Sequence, residues 1–430
     1  GKEMNTTYIT GGTVVDPENN CLNKTNIFIE EGKIAHIGNH DSKTNKNTKI
    51  ISANGKYIIP GLIDLRCHLK QTGVSFRESV ETISTKALSG GFTTILAMPE
   101  LSSMGDNPET MKYMQESIIQ KNQVKILLSG CLTLKTQGKQ LAPLGSLKES
   151  GIVAVTDCPN SPQDNQIYCK AVEYASMFDL PIIDLPRDLS LSPSASAHES
   201  LLSLQMGLKG FPRMAEELFV QRSILVSKYT KAKIHLTSIS SGGSVNLIKQ
   251  AKEENIPISC DVTSNHLAQT EIRVKDFDTF AKALPPFREE IDRLQLIEGL
   301  STDSIDAVSS GHQPFSFDDK SMEYDLAPHG TMGLETAFVQ TLSYVKGNMS
   351  EKLVQITKKM CLNPAKILGL ENPTLKIGSK ADFFIFNKNR RTKVRRNHWE
   401  KGGCNLPFES EEFEGKIETT FIEGKQLHIS

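Results

Sequence analysis

Polar side chains capable of chemistry follow directly after a short apolar run near the start of the chain. In PGLIDLRCHLKQTG (residues 60–73), Asp64, Arg66 and His68 stand at alternate positions. Alternate side chains of a strand point to one face, so we expect these three to share one side. Such a cluster at a strand end is typical of a metal site or a catalytic site. A metal site would need a second histidine, however, where this chain has Arg66.

Apolar runs of the same kind recur along the chain, and helical segments alternate with them, as in TISTKALSGG before FTTILAMP. Repeated helix–strand units with short apolar strands predict a parallel sheet covered by helices. About eight units over roughly 300 residues favour a closed (β/α)8 barrel, whose chemistry lies at the carboxyl ends of its strands. Those ends are Arg66 and His68, Met98 to Glu100, Asp157 and Cys158, Asp184 and Leu185, Thr237 and Ser238, and Ser310 to His312.

Both ends of the chain have a different pattern, with short β-rich runs broken by glycine, asparagine and aspartate. They predict one small β-sandwich beside the barrel, built from both termini. The expected domains are residues 1–58 and 371–430 for the two parts of the sandwich and 59–370 for the barrel. We interpret the basic run NKNRRTKVRRNHW, around residues 390–396, as a solvated loop, with a surface for an acidic partner as the alternative.

Composition excludes several classes of function. The chain has 430 residues, 38% hydrophobic residues and a formal net charge of −1, which indicates a globular protein and argues against nucleic acid as a partner. No apolar stretch is long enough for a transmembrane helix, so no membrane partner is expected. The eight cysteines are scattered without a C-x-x-C pair, which favours a reducing compartment, the cytoplasm. We find no signal-peptide pattern and expect the natural start at Met4.

Several longer runs match a known family in order and spacing. They are PGLIDLRCHL, SGGFTTILAMPE, AVEYASMFDLPII, IHLTSISSGGSVNLIKQAKEENIPISCDVTSNHL, LPPFRE, GLETA and NPAKILGL with LKIGSKADFFIF. The chain resembles, over nearly its whole length, the dihydroorotase family of the cyclic amidohydrolases. The resemblance implies a barrel with a terminal β-sandwich. It also implies, for active members, one or two zinc ions that activate a water to attack a cyclic amide carbonyl.

The residues that the resemblance assigns to zinc have mostly changed. The family pattern requires His-x-His on the first strand, then a bridging acid or modified lysine, two further histidines and an aspartate. The corresponding positions here hold Arg66, His68, Asp157, Leu185, Ser238 and Gly311. Only His68 and Asp157 could still bind metal, and zinc needs at least three protein ligands. The sequence therefore predicts no zinc and no other cofactor.

The positions that the resemblance assigns to the substrate have changed as well. Lys70 replaces an arginine that pairs with the substrate carboxylate, and Glu100 replaces an asparagine and would repel that carboxylate. Leu284 and Phe315 stand where the family has an asparagine and a histidine. The framework is kept while both halves of the site depart, which indicates a protein that has kept its fold but not its chemistry.

Arg66 is then the natural replacement for the lost cation, since a guanidinium is always charged and has no free lone pair for a metal. Asp64, Asp157 and Asp184 are expected at the barrel mouth, and we hypothesise an ion pair between Arg66 and Asp157. Cys67 and His235 are interpreted as core side chains. His266 either packs near the mouth or contacts a ligand.

Three hypotheses for function remain open at this point. In the first, the chain is a non-catalytic dihydroorotase homologue of pyrimidine biosynthesis. The resemblance then suggests a structural partner of aspartate transcarbamoylase in a homo- or hetero-oligomer. In the second, it is an active cyclic amide hydrolase with a site rebuilt from His68, Asp157, Cys158 and His312. In the third, it is a small-molecule sensor that uses the old pocket.

Overall fold

The computed structural model of the chain describes residues 5–39, 46–69, 74–99, 105–118 and 123–430. Lys70 and Glu100, two of the predicted substrate positions, lie outside these ranges. The described residues of the N-terminal part form the strands β1 (Thr6–Asp16), β2 (Cys21–Glu30), β3 (Lys33–Ile37), β4 (Thr48–Ser52) and β5 (Tyr57–Pro60).

The barrel follows directly and is built from parallel strands that are buried on both faces, as in β6, where every residue is buried. Its strands are β6 (Leu62–Cys67), β7 (Phe92–Ala97), β8 (Lys125–Gly130), β9 (Ala154–Thr156), β10 (Ile182–Asp184), β13 (Ile234–Leu236), β14 (Ile258–Thr263) and β15 (Ala307–Ser309). Two short strands, β11 (Ala197–His198) and β12 (Gly210–Phe211), pair with each other outside it. A parallel bridge between Cys67 and His312 closes the barrel after β15.

Helices cover the barrel strands and connect them. They are α1 (Phe76–Ser89), α2 (Pro108–Ile118), α3 (Leu144–Glu149), α4 (Asn165–Met177), α5 (Leu201–Gln205), α6 (Arg213–Thr230), α7 (Gly242–Glu253), α8 (Ser264–Ala268), α9 (Glu290–Ser301), α10 (Phe317–Lys320), α11 (Ala337–Leu342), α12 (Met349–Thr357) and α13 (Asn363–Ile367). Short 3-10 turns and a π-helical turn (Lys358–Leu362) join some of them. Side-chain caps begin several helices; Ser75, for example, accepts a hydrogen bond from the N–H of Glu78 at the start of α1. None of the helices in the described residues is long and apolar enough to span a bilayer.

The C-terminal part returns to β-structure with β16 (Phe383–Arg395), β17 (Ser410–Ile422) and β18 (Lys425–Ile429). These strands join the N-terminal ones in one sheet, in the order β18-β17-β16-β5-β1-β2-β3, with β4 on β1. The predicted fold class, an α/β barrel with a small β-domain from both termini, is confirmed. The domain boundaries at residues 58 and 370 stay a prediction.

The interpretation of the basic run as a loop is wrong, because most of it forms the second half of β16. The acidic strand β17 pairs with it antiparallel. Arg391 donates to Glu412 at 2.6 Å, and Arg390 forms an ion pair with Glu418. Opposite charges facing each other across two strands stabilise the pairing of segments that are too polar to be recognised as strands alone.

Candidate functional site

The guanidinium of Arg66 lies at the centre of the predicted site. Only 1% of this residue is exposed. Its Nε donates to Nε2 of His68 at 2.9 Å, and its Nη1 donates to Oγ of Ser238 at 2.8 Å and to the carbonyl of Leu284 at 3.0 Å. A Cβ built on Gly311 would lie 3.9 Å from the same Nη1. The structure therefore brings four of the predicted metal positions together: Arg66 itself occupies one of them, and positions 68, 238 and 311 surround its guanidinium.

This arrangement does not fit a zinc ion. The hydrogen bond from Arg66 uses the Nε2 lone pair of His68, which places the imidazole proton on Nδ1. A metal ion on Nε2 of His68 would have to displace the guanidinium of Arg66 and would be repelled by its fixed positive charge. Ser238 and Gly311 offer no histidine or carboxylate ligand in exchange.

Asp157 does not form the predicted ion pair. Its carboxylate accepts hydrogen bonds from the N–H of Leu132 at 2.9 Å, from the N–H of Thr133 at 3.0 Å and from the Thr133 hydroxyl. Strand β9 ends one residue earlier, and the chain turns this side chain toward the loop that follows β8. Burial raises the pKa of Asp157 to about 6. Within the described ranges, no acid forms an ion pair with Arg66.

The other acids near the barrel axis are held by hydrogen-bond donors. Asp64 accepts from the N–H of Ser310 at 2.8 Å and from the Ser310 hydroxyl, and burial raises its pKa to about 7. Burial would also raise the pKa of Asp261, but hydrogen bonds from His235 at 2.7 Å and from Ser238 at 2.9 Å hold it below its ordinary value. These acids thus need no metal to compensate them.

Asp184 is the third acid expected at the mouth, and its polar contacts are made with Ser161 and Arg222. It accepts from the hydroxyl of Ser161 at 2.8 Å and lies 3.6 Å from the guanidinium of Arg222. That guanidinium in turn stacks on the ring of Phe219, 3.7 Å from its centroid. The acid is therefore compensated by Arg222 on helix α6.

Apolar side chains close the barrel mouth beside Arg66. Leu185 and Leu284 belong to one buried cluster with Met98, Cys158 and Phe211, which we call the apolar seal. A cavity of about 10 Å³ remains next to it, which is room for about one water molecule. Where the family pattern has a histidine, this chain thus has Leu185, which packs in the apolar seal. Cys158 is inside this packing, not beside an open site.

The two histidines near the mouth are buried and neutral. His312 accepts hydrogen bonds at Nδ1 from the N–H groups of Gly333 at 3.1 Å and Leu334 at 3.4 Å, and burial holds its pKa well below the ordinary value. His266 bonds the carbonyl of Pro285 at 2.8 Å through Nε2, and burial lowers its pKa to about 4. Both histidines fix loops that follow barrel strands, which is a structural role.

Among the described residues, a cluster of metal-ligand type lies elsewhere, and no sequence pattern indicates it. His198, Glu289 and Asp292 place ligand atoms within 4.8 Å of one another. Arg213 already donates to Asp292 at 2.7 Å and to Glu289 at 3.0 Å, and Arg288 donates to Nδ1 of His198 at 3.1 Å. Burial lowers the pKa of His198 to about 4. The two guanidiniums occupy some of the ligand atoms, but Nε2 of His198 has no hydrogen-bond partner among the described residues and lies 3.6 Å from Oε1 of Glu289. The prediction of no cofactor therefore stays a prediction.

The remaining predicted residues lie in ordinary packing. The ring of Phe315 lies 5.3 Å from the ammonium of Lys320 and packs against Gly330. Cys67 and His235 are buried, as predicted for core side chains, and His235 bonds Ser259 and Asp261 through its two ring nitrogens.

Comparison with known proteins agrees with this architecture. A family model described as dihydro-orotase-like matches residues 55–244, and the amidohydrolase family model matches residues 194–427. A dihydroorotase of Acetivibrio thermocellus is 36% identical over 416 residues, 97% of both chains. A dihydroorotase of Pelotomaculum thermopropionicum is 34% identical over 419 residues, again 97% of both.

Solved structures support the fold. The L-hydantoinase (dihydropyrimidinase) from Arthrobacter aurescens superposes with a TM-score of 0.84 at 20% identity, covering 98% of this chain and 96% of the other. The dihydropyrimidinase from Brevibacillus agri gives a TM-score of 0.81 at 17% identity, covering 98% and 95%. With these matches over nearly its full length, the chain belongs to the dihydroorotase family of the amidohydrolases.

Proposed function

We propose that this chain is a non-catalytic member of the dihydroorotase family that acts in pyrimidine biosynthesis as a structural partner of aspartate transcarbamoylase. The observation that carries the proposal is the position of Arg66. Its guanidinium donates to His68 and Ser238, two of the positions where the family pattern has metal-binding histidines. A fixed cation with no lone pair thus stands among the predicted zinc positions.

Two independent features of the barrel mouth support the proposed absence of catalysis. The first is that the described residues at the mouth supply no set of ligands that could hold zinc and activate a water. The second is the apolar seal, in which Leu185 and Leu284 are buried in one cluster and line a cavity of about 10 Å³, which is too small for a cyclic amide. The alternative of a rebuilt hydrolase site gains no support, because His68, Asp157, Cys158 and His312 each have separate structural roles.

The proposed partner rests on the resemblance and on what the chain has kept. The fold is intact while the site has changed, so a surface rather than a pocket is the feature that selection can still act on. A net charge of −1 suits a protein surface better than nucleic acid. All eight cysteines are free thiols, which supports our assignment of the cytoplasm as the compartment.

Zinc content and turnover test the loss of chemistry directly. We expect the purified chain, expressed in zinc-supplemented medium, to contain far less than one zinc per chain by elemental analysis. It should not interconvert carbamoyl aspartate and dihydroorotate. A curated dihydroorotase relative, prepared in the same way, is the control for both assays. Stoichiometric zinc together with turnover that a chelator abolishes would contradict the proposal.

Co-expression with the aspartate transcarbamoylase of the same organism tests the partnership. We expect one complex that is larger than either protein alone in size-exclusion chromatography with light scattering. Its specific interface should bury about 1,000 Å² or more. Two separate peaks at micromolar concentration, with a transcarbamoylase that is fully active and stable alone, would refute the partnership. That result would leave the zinc and turnover results unaffected.

A further inference from the structure

A pocket lies at the end of the barrel opposite the mouth. It opens where three neighbouring strands begin, and the first residue of each strand lines it: Ile182 of β10, Ile234 of β13 and Ile258 of β14. Its volume is about 620 Å³, within the roughly 300–1,000 Å³ of small-molecule sites in proteins. Barrel chemistry lies at the carboxyl ends of the strands, so this pocket, which we call the basal pocket, is separate from the site around Arg66.

The walls of the basal pocket are mainly apolar. Six of the side chains that line it are Leu180, Ile182, Ile234, Pro257, Ile258 and Ile367. The three isoleucines that begin the strands are each at most 5% exposed. The hydroxyl of Ser259 also lies in the lining, but it forms a 2.7 Å hydrogen bond with Nδ1 of His235. A ligand would therefore gain binding free energy by placing an apolar body against these walls.

Three lysines line the basal pocket and come from separate parts of the chain. Lys231 caps the carboxyl end of helix α6, Lys233 directly precedes β13, and Lys366 lies on α13. All three are exposed, and none forms an ion pair with another described residue. Asp179 is the acid that lines the pocket with them, so the lysines and the aspartate give the lining a net charge of +2.

The charge and the walls together define the ligand. A phosphate monoester carries about −1.5 to −2 at pH 7, which matches the net charge of the lining. Lysine binds phosphate as a point charge, whereas a planar carboxylate is the better match for the fork of an arginine. We propose that the basal pocket binds a small organic phosphate monoester whose apolar body lies against the isoleucines and whose phosphate faces the lysines. The proposal goes beyond the function proposed above and depends neither on zinc nor on aspartate transcarbamoylase.

Isothermal titration calorimetry of the full chain tests this site with 1-naphthyl phosphate, in which a flat apolar body carries one phosphate group. We expect one site per chain, with a dissociation constant below about 1 mM at about pH 7.5. Inorganic phosphate, which lacks the apolar body, and 1-naphthoate, which carries a single negative charge, should each bind about tenfold more weakly or less. No binding of 1-naphthyl phosphate up to about 5 mM, or equal binding of 1-naphthoate, would overturn the proposal.

Removal of two lysines tests the charged side of the basal pocket. Lys233→Gln combined with Lys366→Gln should weaken the binding of 1-naphthyl phosphate about fivefold or more, because two of the three positive charges are lost. Lys112→Gln combined with Lys209→Gln is the matched control, since both lysines are exposed and lie outside the pocket. It should bind as the wild type does. An equal loss in both double variants would show nonspecific attraction and refute the proposal.

Labelling of a thiol at the basal pocket locates the ligand. Ser176 is exposed and lines the pocket, so Ser176→Cys introduces a reactive thiol there. At about five times its dissociation constant, 1-naphthyl phosphate should slow maleimide labelling of this thiol about sixfold. The partly exposed Cys169, on the same helix but outside the lining, should keep its rate. A circular dichroism melt shows which variants are folded, and the wild-type titrations decide if a lysine variant is not. An unchanged rate at the introduced thiol, or equal slowing at Cys169, would contradict the proposed location.

Discussion

Replacing Arg66 by methionine tests the central feature of the site. The side chain is buried and donates three hydrogen bonds, to His68, Ser238 and Leu284. Arg66→Met keeps much of the volume but removes every donor. The three acceptors then remain in a mouth that has room for about one water molecule beside it.

The magnitude follows from two opposing effects. Each buried acceptor left without a donor costs about 1–3 kcal/mol. Against this, removing a buried guanidinium recovers its desolvation penalty, which is also several kcal/mol. Because the described residues place no carboxylate against Arg66, the substitution leaves no unpaired buried acid, which a pair with Asp157 would have left. We therefore expect a net loss of about 2–4 kcal/mol in the free energy of unfolding.

Urea denaturation at neutral pH measures this loss. The matched control is Arg77→Met on helix α1, because the side chain of Arg77 is 78% exposed and its ion pair with Glu81 lies within the same helix. That variant should change the free energy of unfolding by about 0.5 kcal/mol or less. If Arg66→Met is as stable as Arg77→Met, the guanidinium is solvated and does not hold the barrel mouth together.

Two further predictions concern the buried groups around Arg66. Burial raises the pKa of Asp64 to about 7, above the roughly 3.9 of an unfolded aspartate, so the folded state binds the proton more tightly. This group therefore lowers wild-type stability as the pH rises from about 5 to about 8. In Asp64→Asn the side-chain amide does not titrate and stays neutral at every pH. The substitution keeps its hydrogen bonds, because the Ser310 hydroxyl can accept from the amide while donating to the carbonyl of Arg66. In urea titrations, the free energy of unfolding of this variant relative to that of the wild type should rise by about 2–3 kcal/mol from pH 5 to pH 8. Parallel pH profiles of the two proteins would contradict this. Cys158 should react with a maleimide only after unfolding, whereas the partly exposed Cys169 should react in the folded protein. Mass spectrometry of the labelled peptides decides, and equal labelling rates would show that the apolar seal is open.

Most of the architecture could be predicted because each strand and helix is indicated by the residues of its own short segment. Most barrel strands are short apolar runs that follow a helical segment, and each is buried on both faces. The unit formed by α2 and β8 was not identified. Helix α2 buries only Met111, Met114 and Ile118, so its apolar face is too narrow to stand out in the sequence. The second half of β16 was missed for a different reason, since its ion pairs with β17 are visible only when both strands are placed.

The site was predictable as a set of positions but not as a set of contacts. The alternation of Asp64, Arg66 and His68 correctly placed Arg66 beside His68, because the strand period determines which side chains share a face. The partner of Asp157 could not be predicted, since it depends on how the chain turns after β9 and on two backbone N–H groups of another loop. The cluster of His198 with Glu289 joins residues about ninety positions apart, and only the fold brings them together.

The changes at the barrel mouth depend on one another, and this explains why they occur together. With Arg66 in place, Ser238 provides an acceptor where a second basic side chain would repel the guanidinium. Gly311 has a positive φ of 58°, and a Cβ there would lie 2.8 Å from the Thr263 methyl, so an aspartate would need the loop to move. A histidine at position 185 would enter the apolar seal with no partner for its ring nitrogens. Each single return to the family pattern thus leaves a buried polar group unpaired or a side chain without space. The described part of the mouth is packed like a core, in which Arg66 supplies a buried positive charge and Leu185 and Leu284 supply apolar packing.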